Sequence, residues 1–125
     1  MTDTPDVVLC FLAAMEARDL NLARSFLAQE FTMYFPGAVP MTTLEELIEW
    51  ASPRYQNVQK TFSGVEAVFP EGDTTIVYCR GTLAGKWLDG TEFENIRFID
   101  RFELVGRQIT RQDVWNDIAE TKADL

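Results

Sequence analysis

The sequence predicts an α+β fold in which N-terminal helices pack on a strongly curved, mainly antiparallel sheet that forms a cone with a pocket. Apolar residues recur at helical spacing in the first part of the chain and alternate at period two from Val58 onward. Glycines at positions 81, 85 and 106 interrupt long strand-like runs, as a sheet bent around helices requires. The 125 residues, 46% hydrophobic and 25% charged, have the composition of one ordered domain spanning residues 1–125.

Thr4-Pro5-Asp6 supplies an N-cap, a proline at the first helical position and an acid in the first turn. Val8, Phe11, Leu12 and Met15 then place one apolar face on a helix that runs to about Ala17. Asp19 restarts the pattern, with Leu22, Ala23, Phe26 and Leu27 on one face of a second helix. A short strand is expected over Phe31–Phe35, stopped by Pro36-Gly37. Thr43 and Glu46 form a capping box that opens a third helix, with Leu44, Leu47, Ile48 and Ala51 inward and Pro53 limiting its length.

Val65, Ala67 and Phe69 alternate before a turn at Pro70-Glu71-Gly72-Asp73. A long strand is expected from Thr74 to Trp87, a hairpin turn around Asp89-Gly90, and a partner strand from Phe93 to Leu104. Gly106 turns the chain into a last strand, Ile109–Asp117, and a polar, frayed tail follows from Ala119 to Leu125.

The net charge of −9 argues against nucleic acid and against an anionic membrane surface, both of which call for clustered Lys and Arg. Histidine is absent, which removes the Ser-His-Asp and Cys-His nucleophile systems and every His-based metal site. No acidic cluster has metal-ligand spacing and no Gly-rich loop cradles a phosphate, so no metal and no cofactor is expected. Cys10 and Cys79 lie far from any CxxC spacing and are expected to be buried free thiols, which fits a reduced, cytoplasmic setting. The N-terminus lacks a basic leader, and the apolar run from Val7 to Met15 is too short to span a bilayer.

Asp100 is the candidate that carries chemistry. It stands between Phe98 and Phe102 at period-two spacing, on what should be the apolar side of a strand. An acid there must be paired, protonated or engaged with a ligand. The hairpin register decides its neighbours. A two-residue Asp89-Gly90 loop places Cys79 opposite Asp100, with Val77, Gly81 and Leu83 on the same face; a loop one residue longer places Arg80 there instead. The first register gives the cleaner apolar face and is the one expected.

Taken in order, the Arg18-Asp19-Leu20 junction, Asp89-Gly90 with Glu94-Asn95, Ile99-Asp100 before Phe102, and the run from Gly106 to Trp115-Asn116-Asp117 resemble the nuclear transport factor 2-like superfamily. That superfamily includes ketosteroid isomerases, SnoaL-like polyketide cyclases and limonene epoxide hydrolases. The resemblance covers nearly the whole chain and implies the cone fold, but one fold hosts many reactions. In the isomerases a protonated strand Asp donates a hydrogen bond to the substrate oxyanion, and the matching position is Asp100. A pocket tryptophan matches Trp115. The tyrosine donor of the first helix is replaced by Phe11, and the general-base aspartate falls at or near Phe35, so the chain is not a standard ketosteroid isomerase.

The cyclase and hydrolase branches rely on pocket carboxylates, sometimes beside an arginine, which implies roles for Asp100, Asp113, Asp117 and Arg80. Either Asp113 or Asp117 is within sequence reach of Trp115 and serves as the second acid, depending on strand phase. Phe11, Met15, Tyr34, Phe35, Phe98 and Trp115 would line a cavity for a small, mostly apolar molecule bearing a carbonyl, hydroxyl or epoxide. The resemblance also implies a homodimer through the sheet face that carries Arg97, Ile99, Arg101 and Glu103. Two functions remain open from sequence: a cofactor-independent isomerase, cyclase or hydrolase, and a non-catalytic ligand-binding or protein-association module.

Overall fold

A computed structural model describes residues 4–70 and 72–122. Its elements are α1 (Thr4–Glu16), α2 (Leu20–Arg24), β1 (Leu27–Tyr34), α3 (Leu44–Ala51), β2 (Asn57–Val68), β3 (Thr74–Lys86), β4 (Glu92–Val105), β5 (Gln108–Asn116) and α4 (Ile118–Lys122). The five strands form one open sheet in the order β1-β5-β4-β3-β2. β2 to β5 make the antiparallel meander, and β1 adds in parallel beside β5. No helix among the described residues is long and apolar enough to cross a membrane. Residues 1–3, where no basic leader was expected, Glu71 of the turn and the last three residues of the tail lie outside the described residues.

α1 buries Val7, Val8, Phe11, Leu12 and Met15 against the sheet, and Phe11 meets Phe102 edge-on with ring centroids 6.1 Å apart. The helix closes through Arg18, whose φ of 58° lets the Asp19 amide reach back to the Ala14 carbonyl. Asp19 then caps α2 by accepting from the Leu22 amide. α2 is shorter than the apolar pattern implied: it ends at Arg24, and Leu27 already pairs with Ile109 of β5. The exposed edge of β5 offers backbone partners that a continued helix would leave unused, so tertiary pairing overrides local spacing. α3 begins at the expected capping box, Thr43 with Glu46.

The β3–β4 register brings Cys79 opposite Asp100, as expected, but by a different route. The loop holds three residues, 88–90: the Trp87 amide bonds the Thr91 carbonyl at 2.8 Å, and Gly90 turns at a φ of 89°. Left alone, that loop would set Tyr78 opposite Asp100. An extra residue in β4, at Glu94-Asn95 opposite Ala84, restores the register, with Asn95 at a φ of 61°. Because the side-chain period is two, this bulge keeps Asp100 on the core face.

Sheet curvature has a local cause at Gly81. A Cβ there would lie 1.9 Å from the Thr61 carbonyl oxygen of β2, beside the bulge between Phe62 and Gly64. Only glycine lets the two strands approach so closely. Cys79 is buried as expected; Cys10 is exposed, because it falls outside the α1 stripe that buries Val7, Val8, Phe11, Leu12 and Met15. Trp87, before the hairpin, is buried against Phe93 with ring centroids 4.2 Å apart. The tail forms a helical turn, α4, where fraying was expected.

Candidate functional site

Most of the residues that the sequence grouped into one pocket, Tyr34, Phe35, Arg80, Phe98, Asp113, Trp115 and Asp117, border one groove, but Asp100, Phe11 and Met15 do not. Phe98, Asp100 and Phe102 of β4 face the helices together with Val77, Cys79 and Leu83 of β3 and Gln112 and Val114 of β5. Ile99, Arg101 and Glu103 face the other way with Asp113 and Trp115. Asp113 and Asp117 therefore do not meet Asp100.

On the inner face Asp100 is fully buried, and its partner is Lys60 of β2 rather than Arg80. Lys60 Nζ lies 3.4 Å from Asp100 Oδ2 and 5.3 Å from the centre of the Phe98 ring. The contact is an ion pair and not an aligned hydrogen bond: neither carboxyl oxygen has a hydrogen-bond partner among the described residues. Burial pushes the Asp100 carboxyl above the ordinary carboxylate range, and the Lys60 charge opposes that push without cancelling it. Cys79, opposite, is raised to about 12 by burial and by the neighbouring Asp100 charge, so its thiol is inert.

Lys60 connects this buried acid to a void. A cavity of about 80 Å³ lies between α1, α3 and the sheet, walled by Phe11, Met15, Phe35, Leu47, Tyr55, Lys60 and Gln112, with Glu16 and Arg18 among its lining. Asp100 does not line it and reaches it through Lys60. The base of the lysine is held by Glu16, whose carboxylate accepts from the Lys60 backbone amide at 3.1 Å. Phe35 packs on Trp50 at 5.2 Å, and Arg54 covers the other ring contact of Trp50 at 4.1 Å. Burial raises the Tyr55 hydroxyl against the opposing charges of Arg18 and Arg54.

A larger groove of about 930 Å³ is bordered by residues of both sheet faces: Arg80, Ile99, Asp113 and Trp115 from the outer one, Phe98 and Val114 from the inner one, with Tyr34 and Phe35 beside them. Its acids are already paired. Arg111 grips Asp113 at 2.9 and 3.1 Å and lies 4.2 Å above the Tyr34 ring, while Arg101 stands 3.4 Å from the same carboxylate. Arg97 holds Asp117 at 2.7 Å, and Arg80 faces Glu66 at 3.4 Å. Trp115 is 54% exposed on the outer face. Asp100 lines neither void, but its partner Lys60 lines the smaller one and not the larger, so the smaller cavity is the better candidate for chemistry at that pair. Among the described residues no three Cys, Asp or Glu side chains gather as a metal site requires.

Lys60 escaped the sequence reading. Its alternation with Val58 and Phe62 was the available signal, but only the β2–β3 pairing, with Lys60 opposite Leu83, turns it towards Asp100.

A model of the SnoaL-like domain matches residues 8–112. No curated protein matches the chain. Among solved structures, TerC co-crystallised with polyporic acid superposes with a TM-score of 0.77 at 15% identity, covering 96% of this chain and 95% of that one. An NTF2-like protein of unknown function from Burkholderia pseudomallei gives 0.77 at 15% identity, over 98% of this chain and 97% of its own. A protein of ketosteroid isomerase-like fold from Catenulispora acidiphila, in complex with trimethylamine, gives 0.69 at 20% identity, over 90% and 86%. At these identities the likeness is one of fold.

Proposed function

From the premise that this chain belongs to the SnoaL-like domain family, we propose that it binds a small, mostly apolar molecule in the inner cavity, with the molecule's carbonyl or related oxygen at Lys60. The observation that carries this reading is the Lys60–Asp100 pair: a cation at the cavity wall, backed at 3.4 Å by a buried acid whose oxygens lack hydrogen bonds. An ammonium at the wall of a cavity withdrawn from bulk water stabilises negative charge developing on a bound oxygen better than it would in water. Asp100 supplies or takes the proton through Lys60. The reaction class is cofactor-independent isomerisation, cyclisation or hydrolysis, with Phe11, Met15 and Phe35 shaping the wall. That TerC was crystallised with polyporic acid and the Catenulispora protein with trimethylamine is consistent with small-molecule binding on this fold. An exposed free thiol at Cys10 fits a reducing, cytoplasmic location.

Cavity size sets the ligand. A void of about 80 Å³ accepts on the order of five heavy atoms. In a thermal-shift screen, small enones are expected to raise the melting temperature, and Lys60→Met should abolish that rise while steroid-sized ketones produce none through this site. If a small enone turns over, Asp100→Asn should keep binding and lower the rate. A rise from small enones that survives in Lys60→Met would exclude the inner cavity as the binding site.

A second reading concerns the outer face. Ile99, Trp115 and Tyr78, exposed at 44%, 54% and 36%, cluster on adjacent strands. We assign this face to a homodimer contact, in which one patch meets its own copy around a two-fold axis.

A further inference from the structure

We infer that Lys60 captures a small aldehyde or ketone covalently, as an imine, with Asp100 carrying the protons. This rests on the reading that the inner cavity holds a small carbonyl compound, and it adds the bond that would form there.

The lysine is placed for it. The chain has lysines at 60, 86 and 122; Lys86 is exposed at the end of β3, whereas the Lys60 side chain is 20% exposed, reachable but mostly withdrawn from water. Lys60 lines the cavity with Phe11, Met15 and Phe35, and its Nζ lies 3.4 Å from Asp100 Oδ2. A purely structural core ion pair gains its stability by completing hydrogen bonds on both partners. Here both carboxyl oxygens are left without one, so they retain the capacity to accept a proton and return it. Burial also favours the protonated form of this carboxyl.

The chemistry balances with no further reagent. The ammonium of Lys60 first gives a proton to the Asp100 carboxylate, leaving the amine lone pair free. That pair attacks the carbonyl carbon; a C–N bond forms, the C=O π electrons move to oxygen, and a proton passes from the now cationic nitrogen to that oxygen, giving a neutral carbinolamine. Asp100 then protonates the nitrogen, which relays the proton to the hydroxyl; the C–O bond breaks, and water leaves as the nitrogen lone pair closes the C=N bond. The product is an iminium; loss of its N–H proton to Asp100 gives the imine. The carbonyl oxygen and two hydrogens of the amine depart as one water, and nothing is oxidised or reduced. The apolar part of the lining, Phe11, Met15, Phe35 and Leu47, limits access of water to such a species.

The test uses the whole chain with butanone, which fits the cavity, in the presence of cyanoborohydride to reduce any imine to a stable secondary amine. Peptide mass mapping then reads Lys60 against Lys86 in the same molecule, so no variant is needed for the primary result. Lys60 is expected to label faster than Lys86 by roughly tenfold or more, with a rate that saturates in butanone, and Asp100→Asn should slow it by roughly tenfold or more if proton transfer is general acid–base. A bulkier steroid ketone should label Lys60 no faster than Lys86. Amide chemical shifts around Phe11, Phe35 and Gln112 report binding separately. Butanone shifts with Lys60 labelling no faster than Lys86 would overturn the imine and leave the cavity reading intact. Neither shifts nor selective labelling would overturn both.

Discussion

Asp100 costs the fold something that its neighbours only partly return. Its carboxyl keeps a proton to higher pH in the native state than in the unfolded chain. Between those two values the native state binds the extra proton, so stability falls as pH rises. The contribution is complete below the ordinary carboxylate range and is lost as pH climbs through the raised native value. Asp100→Asn does not titrate. The melting temperature of the variant minus that of the wild type should therefore shift in the variant's favour from acid to neutral pH. A gap that moves the other way would mean that the Lys60 charge outweighs burial. The same residue shows what sequence can reveal: Phe98, Asp100 and Phe102 at period two announce a buried acid. Lys60, forty positions away, stayed hidden because its face depends on a strand pairing and on the bulge between Phe62 and Gly64.

At the scale of elements, β2, β3 and β4 are aligned by irregularities more than by regular pairing. The Glu94-Asn95 bulge corrects the three-residue hairpin loop, and Gly81 admits the bulged part of β2. A methyl group at Gly81 would meet backbone, the Thr61 carbonyl at 1.9 Å, which cannot swing aside. Gly81→Ala is expected to cost about 1–3 kcal/mol, as overpacking does, when unfolding is followed in urea. Gly64 provides the contrast. A Cβ there meets the guanidinium of Arg80 at 2.6 Å, the movable end of a long side chain, so Gly64→Ala should stay within about 0.5 kcal/mol of wild type. Equal losses at the two positions would undercut the account of curvature. Helix boundaries were less legible than strands: Thr43 with Glu46 marked α3 correctly, while Phe26 and Leu27 continued a helical pattern into what is a turn and the start of β1.

For the whole molecule, two voids border the sheet. A small cavity lies against α1 and α3; a broad groove takes in the outer face and also Phe98 and Val114, and its acids are each held by arginine. With Ile99 and Trp115 as neighbours on that outer face, Ile99→Asp should convert a dimer to a monomer in sedimentation velocity. Arg101 is unsuited to this test, since it ties Glu103 and Asp113 within the chain. An unchanged sedimentation coefficient in Ile99→Asp would leave the groove as a ligand surface of a chain that does not pair through its sheet.

By itself the sequence determined the fold class, the helices-then-meander order, the capping box of α3 and the presence of one acid on an apolar strand face. Those features are written in local periodicity and in turn residues, which act over a few positions. Only the tertiary structure decided which side chains share a site. Strand alternation sends Asp100 inward and Asp113 outward, β2 delivers Lys60 from a distant part of the chain, and α1 and α3 leave a cavity of about 80 Å³ against the sheet. Each of these depends on register and packing between segments far apart in sequence, and a one-residue slip in any strand would reverse its faces.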